Sequence, residues 1–221
     1  PYIKTDFSES QVEMITPVFN TIEDTYNFLQ ALHDIVAMEL KDEYLWPGSN
    51  PPILPAETEI PVAVMNDPGE NKYRWELAKK YGRTKQLYSG IHYNFSFTQN
   101  FLRKLYHSID TADSFKDFKD NVYLKVVRNT LKYRWLLIYL TGASPVFHRS
   151  FIEECVEQGK EIAEESYLID NMVSLRNSEF GYRNKEPFFI SYHSLEEYIS
   201  DIQSLVESKE LLSVKEYYSP I

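Results

Sequence analysis

Gly90-Ile91-His92-Tyr93-Asn94-Phe95-Ser96-Phe97 alternates strictly. Successive side chains of an extended chain point to opposite faces, so Ile91, Tyr93, Phe95 and Phe97 share one side and His92, Asn94 and Ser96 the other. The stretch predicts a strand with an aromatic face turned to a core and a polar face open to chemistry. Upstream, Tyr73 to Tyr81 reads as a helix, with Trp75, Leu77, Ala78 and Tyr81 spaced for burial and Gly82 in the place of a C-terminal cap. Downstream, Tyr123, Val126, Val127, Leu131, Leu137 and Ile138 predict a long, nearly buried helix over 121–140, closed by Gly142.

Further out, Gln11 to Thr16 has a short strand pattern stopped by Pro17, which cannot donate to a ladder, so Glu13 points from a sheet face. Thr21 and Asp24 have capping-box spacing ahead of Phe28, Leu29, Leu32, Ile35 and Val36, a helix running to about Leu40. Ser194-Leu195-Glu196-Glu197 is a second capping box, and Leu195, Tyr198, Ile199, Ile202, Leu205 and Val206 make the core stripe of the helix it opens. Between them, Pro47, Pro51, Pro52, Pro55 and Pro61 fix φ and remove donors, which demands a stiff, extended loop. Strands separated by long helices without regular βαβ alternation predict an α+β domain with a mixed sheet.

The 221 residues are 43% apolar and 25% charged, the balance of a globular chain that forms one domain or a large piece of one. Thirty-three acidic against 23 basic residues give a net charge of −10 without basic clusters, which argues against nucleic acid and anionic membrane as partners. No run reaches the roughly 18 apolar residues of a membrane span and no leader pattern opens the sequence, so a cytoplasmic protein is expected. The lone Cys155 excludes an internal disulfide. With 7 glycines there is no GxGxxG or GxxxxGK[ST], so any nucleotide must be held without a glycine-rich cradle. The abrupt ends, Pro1-Tyr2-Ile3 and Ser219-Pro220-Ile221, read as cut.

Asp6, Glu9 and Glu13 lie within eight residues where the chain enters its first strand. Hard cations such as Mg²⁺ take one or two carboxylates together with substrate phosphates, although acidic residues near a chain end are as readily solvated surface. His92, beside Asn94 and Ser96, suits a metal, a phosphate or a proton shuttle, and equally a structural hydrogen bond. Arg74 and Arg176 carry planar forks that match carboxylate or phosphate oxygens. The Thr141-to-Pro145 loop offers small residues and backbone donors, or simply stops a helix.

Five motifs, TDFSESQVEMITP (5–17), LWPGSNPP (45–52), SGIHYNFS (89–96), GASP (142–145) and SLRNSEFGYRNK (174–185), together resemble the bacterial glutamate-cysteine ligase family, closest to the ligase half of fused glutathione-synthesising enzymes. The resemblance spans essentially the whole chain. It implies a glutamine-synthetase-like α+β fold, mostly antiparallel curved sheet packed with long helices. It also implies joining of the γ-carboxyl of L-glutamate to L-cysteine through a γ-glutamyl phosphate, with ATP and Mg²⁺. On the matching positions, Asp6, Glu13 and His92 are implied metal ligands. Arg74 and Arg176 are implied catalytic contacts to substrate carboxylate or transferring phosphate. Phe7, Tyr73, Arg74, Leu77, Gln86 and Tyr182 are implied to surround the substrate, and Glu9 has no role in its motif.

The family also carries an acidic Glu-x-Glu strand ahead of the position of Asp6 and a Tyr-x-Glu-x-Arg strand beyond that of Ile221, and the sequence has neither. Residues 1–221 are therefore expected to be a single incomplete catalytic domain, with little turnover alone and exposed sheet edges. The resemblance to the fused enzymes leaves room for a glutathione synthetase domain in the full-length protein. The alternative is a truncated, inactive segment that binds metal-nucleotide or amino acid only.

Overall fold

Antiparallel pairing opens the chain: β1 (Ile3–Thr5) lies against β2 (Val12–Met14) in the register Ile3↔Met14, Lys4↔Glu13, Thr5↔Val12. The computed structural model describes residues 1–142, 144–181 and 190–208. The chain divides into two compact units, Pro1–Gly90 with Ala143–Arg176 and Ile91–Gly142 with Asn177–Ile221.

In the first unit the hairpin turn is closed by the Asp6 N–H on the Gln11 carbonyl (3.0 Å) and the Ser8 N–H on Gln11 Oε1 (3.0 Å). Helix α1 (Ile22–Glu39) starts where the capping box places it, with Thr21 Oγ1 accepting from the Asp24 N–H. Its expected stripe is buried only in part: Leu32 is inside and Phe28 meets the rings of Tyr2 and Phe19, while Ile35 is 52% exposed.

The proline loop has one short 3₁₀ turn, Glu57–Glu59, and is pinned from outside. Arg83 Nη1 donates to the carbonyls of Thr58 and Ile60 (2.8 Å each), and Glu57 Oε1 accepts from the Arg83 and Thr84 N–H groups. Helix α2 (Pro68–Tyr81) begins earlier than its apolar spacing suggests, because Asp67 caps it and Pro68 takes the first turn. Gly82, at φ +83°, ends it in a conformation that favours glycine. Trp75 and Tyr81, expected inside, are 50% and 40% exposed, and the Arg83 guanidinium covers the Trp75 ring instead.

Strands β3 (Val146–His148), β4 (Lys160–Ala163) and β5 (Ser166–Leu168) form a second sheet in the order β3-β5-β4. The α+β class holds, but every named strand pair is antiparallel, not mixed. Part of the unit's core is Phe147, Phe151, Ile152, Cys155, Ile169 and Leu175, on and beside this sheet, with Tyr88 edge-on to Phe151.

The second unit holds α3 (Gln99–Ser108), α4 (Phe115–Thr141) and α5 (Leu195–Glu207), capped by Thr98, Ser114 and Ser194. They bury Leu102, Phe118, Leu124 and Ile202. Two expectations fail here. Residues 91–98 belong to no ladder, and Ile91, Tyr93 and Phe95 are 91%, 69% and 60% exposed. An alternating segment becomes a strand only beside a partner, and among the described residues none lies there. Phe97 is anchored, stacked on Phe101 with its N–H on the Tyr123 hydroxyl (2.9 Å), and Phe95 meets its ring edge-on. Likewise α4 buries residues of its first half, while Tyr133, Trp135, Leu136, Tyr139 and Leu140 in its second half are exposed.

Candidate active site

The hairpin β1–β2 and helix α2 present most of the expected site. Arg74 Nε donates to the Asp6 backbone carbonyl at 2.8 Å, and its Nη1 lies 3.5 Å from Glu70 Oε2 one helical turn back. The Arg74 side chain is only 12% exposed. The fork thus ties the start of α2 to the hairpin turn, and Tyr73 and Leu77, half-buried on the same helix, come with it.

Phe7 follows Asp6 and is buried, its carbonyl accepting the Ala63 N–H (2.8 Å). Gln11 bridges the turn to the buried Gln86, donating from Nε2 to the Gln86 carbonyl (3.2 Å). Asp6, Phe7, Arg74 and Gln86 are therefore joined by short links, an arrangement that an acidic turn and a polar helix start do not reveal by themselves. Glu9 accepts the Val64 N–H at 2.9 Å, a local structural role.

Glu13 points from the sheet face as expected and meets Lys4 directly across the ladder, Nζ to Oε2 3.0 Å. Continuing the same register by one step pairs Asp6 with Gln11, and alternation then puts Asp6 on the Lys4–Glu13 side. A diagonal pair of this kind is roughly 7–8 Å apart, close enough for two carboxylates to approach one hydrated cation. Among the described residues no three His, Cys, Asp or Glu side chains gather closely enough to hold a metal ion.

Arg176 passes over Gly90: a Cβ on that glycine would stand 3.2 Å from Arg176 Nε and 3.3 Å from Cζ. His92 is exposed and lies in the second unit. Tyr182 lies outside the described residues. Gly142 caps α4, its N–H on the Ile138 carbonyl, so that loop does stop a helix.

Another cavity, of about 380 Å³, opens in the second unit between α4 and α5 and is lined by Asp120, Tyr123, Val127, Tyr192 and Tyr198. Burial, and then the neighbouring Tyr192, push the Tyr198 hydroxyl above its ordinary value of 10.0. Its lining residues include no arginine and one carboxylate, so it lacks the groups needed to join two anions.

The glutamate-cysteine ligase family model matches residues 1–218. The chain belongs to this family. It is 55% identical over its whole length to the glutathione biosynthesis bifunctional protein GshAB of Clostridium perfringens, and 50% identical to that of Listeria monocytogenes serovar 1/2a. It spans 28% and 29% of those proteins. A bifunctional glutathione synthetase from Pasteurella multocida superposes with TM-score 0.85 at 37% identity, covering 99% of this chain and 27% of that one. Glutamate-cysteine ligase from Francisella tularensis, solved in complex with AMP, gives 0.79 at 25% identity over 93% of this chain and 41% of its own. The family identity expected from the five motifs is borne out. Sequence reasoning passed over Lys4, Gln11 and Asn50, whose partners are set only by the fold. No helix among the described residues is long and apolar enough to cross a membrane.

Proposed function

We propose that the protein containing this chain is an ATP-dependent glutamate-cysteine ligase, catalysing the first step of glutathione synthesis. ATP phosphorylates the γ-carboxylate of L-glutamate. The amino group of L-cysteine then attacks the acyl phosphate, expelling phosphate and losing a proton, to give γ-glutamylcysteine. The observation that carries this is identity spread over the entire chain with the bifunctional glutathione proteins. The AMP complex of the Francisella relative supports an adenine nucleotide as donor.

Asp6 and Glu13 are hard oxygen donors of the kind Mg²⁺ takes, and the resemblance implies a metal-binding role for His92 as well. Bound Mg²⁺ supplies charge neutralisation at the phosphates. The chain's own groups would do the positioning: Arg74 and Arg176 offer forks to carboxylate or transferring phosphate, and Phe7, Tyr73, Leu77 and Gln86 would wall the acceptor pocket, a role the resemblance also implies for Tyr182. We assign residues 1–221 to a single incomplete catalytic domain of glutamine-synthetase-like fold, in a cytoplasmic protein related to the bifunctional glutathione biosynthesis proteins.

The test is incubation of the full-length protein with ATP, Mg²⁺, L-glutamate and L-cysteine, reading γ-glutamylcysteine by mass and ADP release. One product per ADP is expected, and ADP release without the dipeptide overturns the proposal. For the 221 residues alone the reading is binding with little turnover, since they span 28% of the Clostridium perfringens relative. The corresponding measurement is a Mg²⁺-dependent thermal shift with ATP.

A further inference from the structure

The Arg176 guanidinium is supported from two directions, and both supports are fastened to the same dipeptide of the proline loop. On one side is Gly90. Its φ is not in the left-handed region, so conformational freedom does not call for glycine here. Space does: the contacts a Cβ would make at 3.2 and 3.3 Å are tighter than ordinary packing, and they fall on the Nε and Cζ end of Arg176. The residue before Gly90 is held by two bonds from Ser49. The Ser89 N–H donates to the Ser49 carbonyl (2.9 Å), and Ser49 Oγ donates to the Ser89 carbonyl (2.6 Å).

On the other side is the segment that carries Arg176. Leu175 is fully buried, and its N–H donates to the Ser144 carbonyl (3.0 Å), while the Ser144 N–H donates to the Val173 carbonyl (3.2 Å). The buried Asn50 reaches the same place, donating from Nδ2 to the carbonyls of Ser144 (3.3 Å) and Val146 (2.6 Å). Trp46 Nε1 donates back to the Asn50 carbonyl (2.7 Å), and Pro47, Pro51 and Pro52 flank the pair, so the dipeptide has little freedom of its own.

We infer that Ser49, Asn50 and Gly90 are positioning residues for Arg176, the loop fixing the distance between the backbone under the guanidinium and the backbone that bears it. This rests on the proposed ligase function only for its catalytic readout. Serine supplies a donor short enough to reach Ser89 without moving the loop, and asparagine supplies two amide protons to two carbonyls, which aspartate cannot do.

The experiment uses the full-length protein with Ser49→Ala, Gly90→Ala, Arg176→Ala and the paired substitutions. Each variant's fold is checked by melting temperature and circular dichroism. Ser49→Ala removes only the Oγ bond and serves if Gly90→Ala does not fold. A misplaced guanidinium is expected to lower kcat by roughly tenfold to a hundredfold with KM for ATP nearly unchanged. Adding Gly90→Ala or Ser49→Ala to Arg176→Ala is expected to cost almost nothing more, the signature of action through one group. Losses that multiply overturn the inference.

An independent readout is labelling of Arg176 by phenylglyoxal, followed by mass spectrometry, which is expected to quicken several-fold in Ser49→Ala and Gly90→Ala. Faster labelling in the two variants of a protein whose wild type makes no γ-glutamylcysteine rejects the ligase reading and keeps the positioning. Unchanged labelling in an active enzyme does the reverse.

Discussion

Lys4 Nζ and Glu13 Oε2 meet at 3.0 Å across the β1–β2 ladder, so the carboxylate assigned to a metal already faces a cation. Both side chains are about a third exposed, and such a pair contributes roughly 0.2–1 kcal/mol, little enough for a divalent ion to displace the lysine. Lys4→Met is expected to strengthen the Mg²⁺-dependent thermal shift with ATP, most clearly at low salt, and Glu13→Gln to abolish it. A shift that survives Glu13→Gln would leave Glu13 with the ion pair as its only role.

Arg74 joins α2 to the hairpin through a charged donor on the Asp6 carbonyl, a bond of the kind worth about 1.5–3 kcal/mol. Arg74→Lys keeps the charge and loses the fork. It is expected to lower stability by about 1–2 kcal/mol in urea unfolding and ligation by roughly a hundredfold. A variant that loses stability but keeps its rate would make Arg74 a strut and not a substrate contact.

The capped helices were legible because a cap is local: Thr21 with Asp24 and Ser194 with Glu197 place a side-chain acceptor on a backbone N–H three residues on, whatever surrounds them. The strand over 90–97 was misjudged because its pattern states a preference for a pleated, half-buried surface and not the presence of a neighbour. Buried against exposed could not be read for Trp135 or Tyr139 for the same reason. The family was legible through the motifs, and so were the candidate residues that the motifs carry. Their links were not, since Gln11 to Gln86 and Asn50 to Ser144 cross 75 and 94 residues of chain.

The second half of α4 offers Trp135, Tyr139 and Leu140 to solvent at 63–67% exposure, with Tyr133 and Leu136 exposed on the same stretch, and clustered apolar surface of this kind favours association. The 221-residue chain is expected to self-associate and to bind an apolar dye. Trp135→Lys with Leu140→Glu should raise the monomer fraction in sedimentation without lowering the melting temperature. A monomeric wild-type chain with no dye binding would contradict this.

Tyr198 gives a dependence on alkaline pH. Burial, and secondarily Tyr192, hold its folded pKa above the 10.0 of the unfolded chain, favouring the neutral phenol. The stability this contributes is complete below pH 10.0 and is lost as pH rises through the folded value. Between about pH 9 and 11 the wild-type chain should lose more unfolding free energy than Tyr198→Phe does. Equal losses in the two proteins would show that Tyr198 titrates as it does in water.

Asn71 fastens the loop before α2 with both ends of its amide: Oδ1 accepts the Met65 N–H (2.6 Å) and Nδ2 donates to the Met65 carbonyl (2.7 Å). Tyr73 and Arg74 follow two and three residues later on the helix, so this clasp sets where the proposed acceptor pocket wall and the guanidinium begin. Asn71→Ala removes two bonds of about 1 kcal/mol each. Asn71→Asp keeps the acceptor and turns a carboxylate toward the Met65 carbonyl, so it is expected to be at least as damaging although it is nearly isosteric. Both substitutions should raise KM for L-cysteine more than KM for ATP, because Tyr73 and Leu77 move with the helix start. Equal changes in the two constants would show that Asn71 supports the fold in general and not the pocket wall.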